Sequence, residues 1–198
     1  MWVGMHNLPD KSLLADKLAE HRDWPEGLPA GVTPEPIAEG EESVWQFPRP
    51  PLVEPVRKVL RVEFAGQVIA ETTKGHRICE TASAPCYFFP PEDVEMAFIQ
   101  AIPGQSTMCE WKGIASYFDV RVGDQTSHKA AFSYPDPIDD LNQGFRDIAG
   151  HLCFYASRVD AAFIGDELVT PQPGEFYAGW VTSNLKGPIK GEPGTGHW

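Results

Sequence analysis

Proline and glycine constrain this chain more than any other feature, with 19 prolines and 18 glycines among 198 residues. Proline fixes φ and lacks the amide proton that a helix interior or a central strand needs. Glycine supplies the positive φ of tight turns. A chain interrupted this often is expected to build short strands joined by turns rather than long helices. The prolines are also unevenly spread: residues 24–55 hold eight of them, with six acidic residues and one basic residue, Arg49. That stretch reads as an extended arm, partly polyproline-like, lying over the surface. Trp45, Phe47 and the run Pro48–Pro51 are too apolar for a free linker. The arm is therefore expected to dock on the body or across a subunit boundary.

From Val56 the pattern becomes that of strands. Residues 57–64 alternate, Ala65-Gly66 turns the chain, and 67–72 returns. Residues 117–122 turn at Gly123-Asp124 and return over 126–132, and 158–164 turn at Gly165-Asp166 and return through 167–169. Each unit is a hairpin signal. Three stretches predict helix instead. Residues 9–22 (PDKSLLADKLAEHR) place Leu14, Leu18 and His21 on one stripe behind a cap at Asp10 or Ser12. Residues 90–102 begin with Pro91 and acidic residues, as a helix N-terminus does, and 138–150 suggest one further turn. The expectation is a mainly β fold with one or two short helices. It divides into an N-terminal helix and arm (1–55), a β domain (56–170) and a Gly/Pro-rich tail (171–198). The tail is docked, pinned by Trp180 and Trp198.

Charge narrows the partners. With 28 acidic residues against 16 basic ones, net −12, the chain lacks the lysine and arginine excess that phosphate backbones demand, and no nucleic-acid partner is expected. An anionic membrane surface is disfavoured on the same ground. No apolar run approaches the ~20 residues of a membrane span, and no secretory pattern opens the chain. A cytoplasmic protein is expected, with Cys79, Cys86, Cys109 and Cys153 as reduced and mostly buried thiols. Their spacing contains no CxxC knuckle, so no zinc is expected.

The stretch CEWKG, Cys109 to Gly113, carries the chemistry of most interest. Read as a strand, it puts Cys109 and Trp111 on one face and Glu110 and Lys112 on the other. A lysine beside an aromatic surface binds an anion, or acts as a base if burial lowers its pKa. Glu80 is its candidate partner from a neighbouring strand. Cys109 is a candidate nucleophile, although the sequence pairs no base with it among His76, His128 and His151. Aromatic residues wall most small-molecule sites. The candidate ligand-binding set is therefore Glu80, Tyr87, Glu110, Trp111, Lys112, Tyr117, Tyr134 and Tyr155, in a pocket expected between two sheets.

Several stretches taken together resemble a known family: ESVWQFPRPP (42–51), ICETASAPCYFFPPEDV (78–94), CEWKGIASYF (109–118), AAFSYPDP (130–137), AGHLCFY (149–155) and the C-terminal 174–198. The family is that of domain of unknown function 427, and the resemblance covers roughly residues 40–198. It implies a β-tent fold related to the Mss4-like proteins, in which two antiparallel sheets meet at an angle. The relatives' zinc sits in CxxC knuckles that this chain lacks, so the resemblance carries the fold and not the metal. The family also bears a nucleotidyltransferase label. The Gly-Ser turn and D-x-D pair of better-known nucleotidyltransferases are absent, and Asp136, Asp139 and Asp140 form only a D-x-x-D-D run. Three functions are expected, in order: a small-molecule-binding β domain; an enzyme on a small metabolite using Lys112, Glu80 or Cys109; and a protein-interaction module that self-associates through the arm.

Overall fold

A computed structural model describes residues 28–198, so the helix expected over 9–22 lies outside the described residues. The first strands are β1 (Glu42–Ser43), β2 (Leu52–Pro55), β3 (Leu60–Phe64), β4 (Gln67–Thr72), β5 (His76–Cys79) and β6 (Cys86–Phe89). The middle of the chain supplies β7 (Ile99–Cys109), β8 (Gly113–Val122), β9 (Gln125–Ser133) and β10 (Leu152–Phe154). Then come β11 (Ala161–Ile164), β12 (Glu167–Leu168), β13 (Thr170–Pro171), β14 (Trp180–Val181) and β15 (Leu185–Lys186). The helical segments among the described residues are 3-10 turns of three or four residues. The mainly β expectation holds.

All three expected hairpins form, as β3–β4, β8–β9 and β11–β12. The first closes on Ala65 and Gly66, both at positive φ (51° and 73°), the conformation of a two-residue turn that matches strand twist. Two antiparallel sheets result. The larger has seven strands in the order β2-β5-β6-β10-β9-β8-β7, and the smaller has four, β12-β11-β3-β4. Two short pairs, β13–β14 and the parallel β1–β15, complete the structure.

One core joins the two sheets. Leu60, Val62 and Ile69 of the small sheet pack with Phe89, Val120, Leu152 and Phe154 of the large one, and Trp180 is fully buried among them. A second cluster lies on the opposite face of the large sheet, built from Phe88, Ala115, Tyr117, Phe132 and Cys153 with Tyr134 and Tyr155. Strand β6 shows how one segment serves both. Tyr87 and Phe89 face the inter-sheet core and Phe88 faces the second cluster, as the period of two requires.

The arm docks in cis. Its β2 pairs with β5 at the edge of the large sheet, and β1 pairs with β15 of the tail. Trp45 Nε1 donates to the Pro188 carbonyl at 2.9 Å, and its ring meets Trp198 edge-on at 5.5 Å. Trp198 therefore anchors to the arm, while Trp180 belongs to the core. Two local expectations need correction. Residues 90–102 form 3-10 turns at Pro91–Asp93 and Met96–Phe98 and then enter β7. Pro103, just beyond that stretch, stops a helix from continuing past Ile102, and Ile99, Gln100 and Ala101 find partners on β8 instead. CEWKG is likewise not a continuous strand. Cys109 pairs with Gly113, and Glu110, Trp111 and Lys112 form the turn between β7 and β8.

Candidate functional site

The turn at 110–112 creates the site. Gly113 adopts φ +88° with the Ile138 side chain 3.3 Å from where a Cβ would sit, so only glycine suits this hairpin end. The resulting turn folds Trp111 and Lys112 inward together, where a strand would have sent them to opposite faces. Both are buried, Trp111 at 3% exposure and Lys112 at 7%. Ile138 N donates to the Lys112 carbonyl at 3.1 Å and ties the turn to the following loop.

Behind this turn lies a cavity of about 270 Å³ on the second-cluster face of the large sheet. The pocket expected between the sheets is therefore misplaced: that space is filled by the inter-sheet core, and the opening lies on the far face. Phe88, Phe132, Tyr134 and Tyr155 form its aromatic wall. Phe132 holds the group together, 5.8 Å from Tyr134 and 5.6 Å from Tyr155 between ring centroids.

Glu80, immediately after β5, and Lys112 both line the cavity, with Nζ 3.6 Å from the Glu80 Oε2. The ammonium stands between rings, its Nζ 5.9 Å from the centroid of Tyr134 and 5.8 Å from that of Phe145. Burial pushes its pKa down, but the neighbouring Cys109, Glu80 and Cys86 outweigh burial and hold it above the ordinary lysine value. Lys112 is thus an ammonium ion at neutral pH, the opposite of the lowered pKa that a general base requires.

Other expected residues separate into two groups. Cys109, Glu110, Tyr117, Tyr134 and Tyr155 line the cavity with Glu80 and Lys112. The Tyr117 hydroxyl shares a 2.8 Å hydrogen bond with Thr107 Oγ1, and the Tyr155 hydroxyl donates to the Phe176 carbonyl at 3.4 Å. Burial raises the Tyr134 and Tyr155 phenols far above their usual value, so both stay protonated donors. Glu110 sits at the rim, 3.9 Å from the Arg49 guanidinium. Trp111 lies beneath that rim as packing, with Arg49 5.9 Å from its ring centre. Tyr87 is not brought to the cavity: it points to the other face and stacks on Trp180 at 5.1 Å, where burial pushes its phenol up to about 12.

Sequence reasoning missed the contribution of the tail. Lys190, Gln172, Phe176 and Tyr177 all line the cavity. Gln172 is 4% exposed and clamps two segments, its Oε1 accepting from Ala84 N at 3.1 Å and its Nε2 donating to the Lys190 carbonyl at 2.8 Å. The only advance signal for this role was the GEFYAGW motif of the resemblance, which marked 174–180 without assigning it a position.

Among the described residues no histidine lines the cavity. His76 and His151 meet edge-on at 5.7 Å elsewhere, and His128 pairs with Asp119 at 2.8 Å. The four cysteines are free, and no group of three His, Cys, Asp or Glu side chains among the described residues is placed to hold a metal ion. Asp139 caps its own loop by accepting from Gln143 N at 2.7 Å, and neither it, Asp136 nor Asp140 reaches the cavity.

Fold and cavity together define a class: a mainly β protein carrying a buried lysine–carboxylate pair in an aromatic-walled cavity. The family model described as a domain of unknown function, DUF427, matches residues 52–165, and the chain belongs to that family. No curated protein matches the chain.

Proposed function

We propose that this chain is a small-molecule-binding β domain whose site is the Glu80–Lys112 cavity. One observation carries the reading. A lysine held as a cation at 7% exposure, among aromatic rings and beside open volume, is costly to keep. Taking an ammonium ion out of water costs several kcal/mol, and an apolar residue of similar size avoids that cost. Such residues concentrate where binding needs them. The β-tent kinship belongs to the same reading and is supported by two antiparallel sheets sharing one core. No described helix is long and apolar enough to cross a membrane. Self-association through the arm has less support, because residues 42–55 use their pairing on the chain's own tail and sheet.

The test is a thermal-shift and ligand-observed NMR screen of metabolites on the full chain and on Ala115→Leu. Ala115 lines the cavity at 1% exposure, so a leucine there projects into the open volume. A ligand at 100 times its Kd stabilises by about 2.7 kcal/mol. Hits should vanish in Ala115→Leu while the variant stays folded by circular dichroism. Hits that survive it, or no hits at all, would sink the reading. A thiol-dependent enzyme is the second reading, favoured by the placement of Cys109 in the cavity wall beside Lys112 and Tyr134. It predicts that Cys109→Ala retains binding but abolishes turnover of a bound ligand.

A further inference from the structure

The chemistry of the cavity wall narrows what can occupy it. Provided that the cavity is a binding site, we infer that its ligand is a small organic monoanion, a carboxylate on a compact aromatic or alicyclic body, whose charge is received by Lys112 and Lys190.

Charge balance is the first argument. Acidic residues outnumber basic ones 28 to 16 over the whole chain. At the cavity the acidic excess disappears: Lys112 and Lys190 line it against Glu80 and Glu110, and Arg49, outside the lining, stands 3.9 Å from Glu110. Glu110 is therefore answered by Arg49, and Glu80 is left to face two lysines. Glu80 favours the charged form of both; for Lys112 it and the neighbouring thiols outweigh burial, whereas for Lys190 burial prevails and holds the pKa below the ordinary lysine value. One carboxylate for two ammonium ions leaves room for a second carboxylate, which the ligand brings. The Lys112–Glu80 separation of 3.6 Å is that of an ion pair, longer than a hydrogen bond, so the ammonium can turn donors to an arriving anion without losing Glu80. Lys190 Nζ donates to the Trp198 carbonyl at 2.5 Å, which occupies one of its three donors.

Size and shape give the second argument. A volume of about 270 Å³ falls just below the ~300–1,000 Å³ range of drug-sized sites, and corresponds to roughly nine water volumes at ~30 Å³ each. One ring with a short charged substituent fits that space. The walls away from the lysines, Phe88, Phe132 and Tyr155, offer ring faces and edges to such a body.

The same features disfavour a phosphate ester. Phosphate is commonly held by arginine forks or by backbone N–H groups at a helix N-terminus. Among the described residues no arginine lines this cavity and no α-helix is present. A nucleoside triphosphate also exceeds the volume.

The experiment compares benzoate, phenylacetate and cyclohexanecarboxylate with benzamide, benzyl alcohol and benzylamine, by titration calorimetry and ligand-observed NMR at pH 7. The protein is the full chain as wild type, Lys112→Met, Lys112→Arg, Lys190→Met and Ala115→Leu. The carboxylates should bind at least tenfold more tightly than their neutral and cationic isosteres. Lys112→Met should lose that preference, Lys190→Met should reduce it, and Lys112→Arg should restore most of it by returning the cation. The arginine variant separates charge from folding, since both replacements alter packing. If neutral or cationic probes bind as well as carboxylates, and Ala115→Leu abolishes them, the cavity is a binding site but the anion inference is wrong. If no probe of either kind binds, both fall. Carboxylate binding that Lys112→Met leaves unchanged overturns the assignment to this lysine.

Discussion

Replacing Glu80 by glutamine would leave the Lys112 ammonium inside the protein without its carboxylate. The lysine side chain is 9% exposed and the glutamate side chain 27%, so the two partners do not suffer equally when the other is removed. Breaking a buried pair from one side costs about 3–5 kcal/mol, because the remaining charge keeps its desolvation cost and loses its compensation. Water reaches the Glu80 end, so the lower bound applies, and Glu80→Gln should destabilise by about 3 kcal/mol. For a chain of this length that is a Tm decrease of roughly 6–12 °C. Lys112→Met should behave in the opposite way. Methionine keeps an apolar chain of similar length near Tyr134 and Phe145, removes the buried charge, and leaves Glu80 partly solvated. Its stability should lie within about 1 kcal/mol of wild type or above it. In the double variant most of the Glu80→Gln penalty should disappear, a coupling of about 2 kcal/mol. The raised Lys112 pKa means its pairing contributes in full below the unfolded lysine value of 10.5 and fades only as pH rises through the higher folded value. The differences should therefore be flat from pH 6 to 9. Urea unfolding of the four proteins, compared at equal m-values, measures this. A Lys112→Met loss of 3 kcal/mol with a negligible Glu80→Gln effect, or strict additivity, would refute the argument that the buried cation is the expensive member of the pair.

Native alkylation with iodoacetamide should modify Cys109, in the cavity wall, well before Cys79, which is 1% exposed with its thiol pushed up to about 12 by burial; peptide mass spectrometry reads the order. Carboxylates that bind should slow the Cys109 reaction, and labelling of Cys79 first would contradict the assignment. Burial and the adjacent His151 lower the His76 pKa from 6.5, only partly opposed by Asp147, so the unfolded chain protonates first and stability should fall as pH drops below that value. His76→Gln should show a shallower decline between pH 7 and 5 in urea unfolding. Gln172→Met removes both partners of Ala84 N and the Lys190 carbonyl; with about 1–3 kcal/mol per unsatisfied buried group, it should lower stability and weaken ligand binding together.

The legible parts of this fold are those fixed by local backbone chemistry. Hairpins at Ala65-Gly66, Gly123-Asp124 and Gly165-Asp166 can be read because each sets a glycine at positive φ between two stretches of strand-forming residues. The same logic applies at Gly113. An alternating strand over 109–113 overlooks that Gly113 can take positive φ and close a three-residue hairpin turn, and so sends Trp111 and Lys112 to opposite faces. Pro91 with Glu92 and Asp93 imitates a helix start, yet a 3-10 turn has the same first-turn preferences, and the later pairing of β7 with β8 is a long-range fact. In CYFF the period of two is clear but its phase is not. Both faces of the large sheet are covered, so apolar residues stand on each, and nothing local says that Tyr87 belongs to the core and Phe88 to the cavity. That Glu80 and Lys112 are neighbours can be expected only from their residue types. The part played by Gln172 and Lys190 depends wholly on where the tail comes to rest.

That last dependence bears on how the site works. Its polar end is assembled from three separated pieces of chain: Glu80 after β5, Lys112 in the β7–β8 turn, and Lys190 in the tail. The first two, with the aromatic wall, lie within the span of the family match, residues 52–165, while Lys190, Gln172, Phe176 and Tyr177 lie beyond it. The Glu80–Lys112 pair and its rings thus lie inside the matched span, and the tail supplies a second lysine and part of the rim. A ligand held by both lysines would draw on the tail's docking as well as on the cavity, so its affinity should track how firmly Gln172 and the β1–β15 pairing hold the tail in place. Selectivity among anions would then reside in the segment that closes over the buried cation and its rings.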